Sequence, residues 1–418
     1  MEAVAGRRSD WPITRRLALA ACLLILVVAI AGAIKVNAAL GLKPGPNEYN
    51  VAAWEARHFA NKWLFAFGRW FRNEPSLEEQ DATLRRFFAL TGEIEALERS
   101  ISDAGRRGVA VDEAALRRLE SAQRERDRIE NRVEAIVEER ITRVAAAEGI
   151  TRSLLLLRGV VWPPIDFEFT RAPHSLAVSP RDRIELKDTD LLREDLDLEQ
   201  IERIEAERER REDVSALAFP TGGVGAYPSI VDYAGDYRRL LEVVAHEWTH
   251  HYLFFSPLGF NYYDNYELRS MNETVADLAG REIAEAVIRG WPLDDASARP
   301  SSAPERDRGL DVGAELRRLR AEVDALLATG GIEAAEALME RRRQELAEQG
   351  VLIRKINQAY FAFTNLYAGE AGNPAATNPI GPKIDELRRR SASLRAFLNT
   401  ISSITSVEEL DRVLGTGE

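Results

Sequence analysis

The sequence holds one cysteine, Cys22, in 418 residues. That excludes an intrachain disulfide framework and any zinc site built from cysteine thiolates. Histidine is scarce too, with five in all: His58, His174, His246, His250 and His251. Positive charge is in deficit. Lys plus Arg number 56 against 68 Asp plus Glu, a net charge of −12, and a nucleic-acid binder would carry the opposite balance. We find no internal repeat. Apolar residues are not lacking: at 45%, with 30% charged, the chain can bury a core and is not of the disordered class. Its length suits one large domain or two ordinary ones.

Long apolar runs are absent with one exception. Residues 17–34 read LALAACLLILVVAIAGAI, 18 positions without charge or proline, close to the roughly 20 that a bilayer span needs. Arg7, Arg8, Arg15 and Arg16 precede the run, and only Lys35 and Lys43 follow it closely. The positive-inside rule makes residues 1–16 a cytoplasmic tail, 17–34 a transmembrane anchor, and the remainder extracytoplasmic. A cleaved signal peptide is the alternative, with Val36-Asn37-Ala38 as a loose cleavage site. The run exceeds the roughly 7–15 residues of a signal core, which favours the anchor. The abundance of Ala and Arg points to a bacterial inner membrane.

Past Lys43-Pro44-Gly45-Pro46, residues 48–72 read as a helix rich in aromatics, including Trp54, Trp63 and Trp70. It could lie on the membrane surface or in a core. Residues 76–147 read as a charged, coiled-coil-like helical hairpin, completing a juxtamembrane region over 35–149. Within 150–290, residues 166–170, 174–178, 182–186 and 226–232 carry strand signals. Pro228 assigns the last of these to a sheet edge, where it could pair with an extended peptide. A charged helix is expected over 189–212, and two more over 236–255 and 266–289. Residues 291–350 form a link and a second charged hairpin, and 351–418 form C-terminal helices. The fold class is mainly α with a small β-sheet, an α+β core flanked by helical hairpins.

Three of the five histidines fall within six residues. Residues 246–250 read HEWTH, which is H-E-x-x-H. On a helix, i and i+4 share a face, so His246 and His250 can present two imidazoles to one metal ion. Glu247 stands beside them as a candidate general base. The next residue, His251, points about 100° away and is expected to pack rather than ligate. A catalytic zinc needs a third protein ligand. No histidine follows His251, so that ligand is a carboxylate or comes from far upstream. Residues 272–277 read NETVAD on the next expected helix. This makes Glu273 the candidate ligand and Asp277 the acceptor for an imidazole N–H.

HEWTH followed by NETVAD resembles the gluzincin zinc metallopeptidases, thermolysin and its relatives, over about residues 236–290. The resemblance implies a zincin-like core and a Zn2+ site of His246, His250 and Glu273. It also implies Glu247 as base, Asp277 supporting a histidine, and a peptide or protein substrate. The flanking hairpins match no gluzincin family, so substrate type does not carry over. Two rivals stand beside the peptidase. One is a zinc hydrolase of a non-peptide amide or ester. The other is a helical membrane-anchored scaffold with a non-catalytic metal site, which would not need Glu247.

Further candidates are less anchored. His174 could donate to a transition state or simply sit on a strand. Tyr262, Tyr263 and Tyr266 could line a cleft or pack a loop. Residues 351–368 read as a helix on which Arg354, Asn357, Tyr360, Thr364 and Tyr367 form a stripe. Tyr360 or Tyr367 could then donate a hydrogen bond to an oxyanion, the alternative being a buried polar network.

Overall fold

The computed structural model describes residues 45–55, 58, 75–107, 109–154, 157–233, 235–293, 311–367 and 378–415. The expected anchor at 17–34 lies outside them. Among the described residues no helix is long and apolar enough to cross a membrane. The architecture is mainly helical with three small sheets.

The expected hairpin is α1 (Leu77–Arg106) and α2 (Glu113–Ala147). Ser76 and Glu79 close a capping box at the start of α1, and Asp112 caps α2. Such caps satisfy backbone N–H groups that have no partner within the helix. The strands follow in chain order: β1 (Arg152–Leu154), β2 (Leu157–Val160), β3 (Phe167–Phe169), β4 (His174–Pro180) and β5 (Asp188–Leu192). Then come α3 (Leu198–Glu212), β6 (Val214–Pro220), β7 (Gly223–Val224) and β8 (Ser229–Val231). The remaining helices are α4 (Tyr237–Phe254), α5 (Pro257–Phe260), α6 (Tyr266–Gly290), α7 (Val312–Ala328), α8 (Ile332–Glu348), α9 (Gln358–Thr364), α10 (Ile380–Arg390), α11 (Leu394–Ile401) and α12 (Val407–Leu414).

Four expectations need correction. The strand expected at 182–186 forms later, as β5, paired antiparallel to β4 with Val178 opposite Asp188. The helix expected from 189 therefore begins only at Leu198, where Asp197 and Gln200 make a capping box. Asp197 is a helix start signal hidden in a charged run. The strand at 226–232 shrinks to β8 and is not an edge. It lies between β3, parallel, and β7, antiparallel. Pro228 precedes the paired residues, so its missing N–H costs the ladder nothing. The helix expected over 351–368 is only α9, because Asn357 caps it by accepting from Tyr360 N at 2.9 Å. Upstream, Arg354 is drawn to Glu205 at 3.0 Å and Lys355 to Glu209 at 2.6 Å. The supposed stripe is thus broken. Of the aromatic helix at 48–72, residues 51–55 are helical and 59–74 lie outside the described residues. Its described part is core: Trp54 is buried and shares a cluster with Val51, Leu191, Ala226 and Ile230.

The largest apolar cluster joins α1 and α2 to the two central helices. Phe87, Phe88, Val137 and Ile141 pack with Phe167, Leu240, Val244, Trp248, Val275, Ala279 and, from the C-terminal helices, Ile384 and Phe397. Inside it, buried Arg140 donates to the Tyr237 hydroxyl at 2.9 Å and pairs with Asp81 at 2.8 Å. The hairpin is therefore packed onto the start of α4. Helix α7 pairs with α8 around a separate cluster that includes Leu319, Val323 and Met339.

Helices α4 and α6 make the contact that matters most for chemistry. Asp236 caps α4 and Asn265 caps α6, each accepting a backbone N–H at 2.8 Å. Both helices present apolar positions to the core, and they meet at Gly280. A Cβ there would stand 2.9 Å from Glu242 O and 3.1 Å from His246 N. Glycine at this point is what allows the two backbones to approach so closely.

Candidate metal centre

Close approach of α4 and α6 brings three donor atoms to one point. His246 Nε2 and His250 Nε2 are 3.0 Å apart, and Glu273 Oε2 is 3.5 and 3.6 Å from them. Tetrahedral bonds of about 2.0–2.1 Å place ligand atoms roughly 3.3 Å from one another. The three residues form a group that could hold a metal ion.

The other ring nitrogens fix the chemistry of the pair. His246 Nδ1 lies 2.9 Å from Asp277 Oδ1, and His250 Nδ1 lies 2.7 Å from Asn272 Oδ1. Both partners are acceptors, so in the neutral rings both Nδ1 atoms carry the proton. The two Nε2 lone pairs then face each other at 3.0 Å. Two lone pairs at that distance repel unless a proton or a metal ion lies between them, and with Glu273 Oε2 beside them the donor set fits a metal ion. Asp277 thus occupies the position expected of it. Asn272 was missed as a partner. It lies beside the glutamate in the same NETVAD segment, and an amide oxygen there is a legible acceptor. Tyr262 donates its hydroxyl to Glu273 Oε1, so one loop tyrosine does reach the site.

The cluster opens into a cavity of about 230 Å³. Since about 10–15 Å³ holds one water, this space admits a ligand. Glu247 lines it beside the histidines, and burial pushes its carboxyl up from 4.5. Opposite runs β7, an edge strand of its sheet. A Cβ on Gly223 would fall 2.5 Å from Glu247 Oε1 and 2.9 Å from Ile230 O. Only glycine lets the strand pass this near the carboxylate. The edge beside the site is therefore Gly223–Val224, displaced from the segment the sequence suggested.

His251 sits in the cavity wall against Tyr227, ring centroids 5.3 Å apart. Burial pushes it down to about 4, and it stands outside the ligand group. His174 is not a lining residue; its Nδ1 bonds Arg193 O at 3.2 Å. Tyr263 lines the cavity, whereas the Tyr266 hydroxyl accepts from Asn365 at 2.8 Å. Tyr367 lines the cavity within electrostatic reach of Glu273 and Glu247, and burial holds its hydroxyl protonated. Tyr360 does not line it; the ring packs with Phe219 and Phe361 instead. Of the two tyrosines offered as oxyanion donors, only Tyr367 lines the cavity.

No family pattern, no curated protein and no solved structure matches this chain. The site is read from its own geometry.

Proposed function

We propose that this chain is a zinc-dependent metallopeptidase with a zincin-like core, tethered to a membrane through residues 17–34. The arginines ahead of that run favour an extracytoplasmic catalytic domain. The observation that carries the reading is the convergence of His246 Nε2, His250 Nε2 and Glu273 Oε2 within 3.6 Å, with an unliganded carboxylate, Glu247, on the same cavity wall. A two-histidine, one-glutamate donor set is characteristic of catalytic zinc with a position left for substrate or water. Bound there, zinc would supply a Lewis acid to polarise a carbonyl and acidify a water.

The protein's own groups then divide the work. Glu247 takes the proton as the water oxygen attacks the peptide carbon. It returns that proton to the nitrogen as the C–N bond breaks. Its burial raises its basicity, which suits a base. Tyr367, kept protonated, donates to the oxygen on which negative charge develops. Edge strand β7 can pair with an extended backbone laid along the cavity, which favours a peptide over a non-peptide amide or ester. A non-catalytic scaffold would have no use for Glu247 at this position.

The test is elemental mass spectrometry of the full chain together with digestion of a peptide library. One zinc per chain and peptide cleavage are expected. Glu247→Gln should keep the zinc and lose cleavage by orders of magnitude. Full hydrolysis by Glu247→Gln would eliminate the mechanism, and an unbound site would eliminate the metal.

A further inference from the structure

Arg269 is an anomaly in this cavity. It lies on α6 one turn before Glu273, on the same face as Glu273 and Asp277, and it lines the cavity. Its Nε donates to the Tyr262 hydroxyl at 3.2 Å and its Nη1 to Thr189 Oγ1 at 2.7 Å. Both partners are neutral. Other arginines withdrawn from solvent hold a carboxylate: Arg140 has Asp81, Arg208 has Asp188 and Asp190, and Arg320 has Asp324. Arg269 forms no ion pair among the described residues. Its nearest acid, Glu273, is reached only through the Tyr262 hydroxyl and has its other oxygen turned to the two histidines. Of the other two cavity carboxyls, Glu55 accepts from Tyr227 N at 2.9 Å, and Glu247 lies against Gly223 and makes no ion pair with Arg269.

Arg269 is half-buried; a guanidinium partly withdrawn from water without a counter-charge carries a cost that an anion entering the cavity relieves. The guanidinium fork matches a carboxylate, which can accept two parallel N–H bonds. The protein engages Nε and Nη1, which leaves Nη2 for a ligand in the cavity that Arg269 lines. The position is two hydrogen bonds from a metal-ligand carboxylate, close to where a scissile bond would lie.

We propose that Arg269 anchors a carboxylate of the substrate, making this a site for peptides that carry a free carboxylate near the bond to be cut. The carboxylate is either the peptide's C-terminus or an Asp or Glu side chain. The inference rests on the peptidase reading for the identity of the ligand, but its test is binding and not turnover.

Calorimetric titration of metal-loaded, full-length Glu247→Gln protein with three peptides decides it. They are N-acetyl-Ala-Ala-Ala as free acid, its C-terminal amide, and N-acetyl-Ala-Asp-Ala amide. At least tenfold tighter binding of one carboxylate-bearing peptide over the uncharged amide is expected, and which one identifies the source. Arg269→Gln should erase the difference. Should that variant not fold, Arg269→Lys should cut the preference severalfold, because an ammonium lacks the fork. Equal binding of all three peptides, or no binding, overturns the proposal without any further substitution. So does a preference that survives either change at Arg269, since the metal would then be holding the carboxylate. The same binding preference, with no cleavage of any of these peptides or of the library by the zinc-loaded parent protein, would reject the peptidase and leave the anchor standing.

Discussion

Gly280→Ala adds one methyl group where α4 and α6 touch. The new carbon would lie 2.9 Å from Glu242 O and 3.1 Å from His246 N. Both are backbone atoms, so no side-chain rotation relieves them. Carbon contacts settle at roughly 3.5–4.0 Å, so the helices must part by about half an ångström or more. Two terms compete in the folding energy. Alanine favours a helix interior over glycine by about 0.8–1.0 kcal/mol, while overpacking costs about 1–3 kcal/mol. The net is a destabilisation of about 0–2 kcal/mol, small against the effect at the site. Glu273 is two turns from Gly280 on the same helix, and its Oε2 now stands 3.5 and 3.6 Å from the histidine nitrogens. Metal sites tolerate about ±0.2 Å in ligand distance. Metal affinity should therefore fall about 10–100-fold, the range seen when ligand support is disturbed. Competition against a chromophoric chelator measures the affinity, and a thermal melt of the metal-free protein measures the fold. If Gly280→Ala melts higher by the helix-propensity increment and holds metal as tightly as before, the α4–α6 contact does not set the site.

Two more predictions follow from the hydrogen bonds and burial. Asp277→Ala removes the acceptor 2.9 Å from His246 Nδ1 and should weaken metal binding about 10–100-fold in the same competition assay; unchanged affinity would show that Asp277 does not orient the ring. Glu55, raised from 4.5 to about 7 by burial and partly restrained by the Tyr227 N–H, takes up its proton more readily folded than unfolded. Its contribution to stability is therefore fullest below about 4.5 and is lost as pH rises through about 7. Glu55→Gln keeps an acceptor for Tyr227 without the charge. It should match the parent near pH 4 and exceed it above pH 7 by up to roughly 3 kcal/mol, at about 1.4 kcal/mol per unit. Parallel denaturation curves at the two pH values check this, and an increment that does not change with pH would refute it.

Elements that local chemistry dictates are legible along the chain. Heptad-like apolar spacing and capping residues such as Ser76 and Asp112 specify the long helices, and tertiary context had little to override. The i, i+4 spacing of His246 with His250, and of Glu273 with Asp277, sets which side chains share a face. The ligand group was therefore legible before any fold was known. Tertiary structure decided everything that depends on what a segment meets. The sequence around residue 189 is charged enough for a helix, yet it becomes β5 because β4 offers it a partner. Residues 351–357 leave the helix because Glu205 and Glu209 capture Arg354 and Lys355. Nothing in the sequence marks Gly223 as a strand residue, and only the position of Glu247 shows it to be on the strand that edges the cavity. Arg269 reads in the sequence as one more arginine on a charged helix. That it lines the metal-site cavity without a counter-ion depends on Thr189 and Tyr262, residues 80 and 7 positions away, because whether a charge is paired is a property of the packed neighbourhood rather than of the chain.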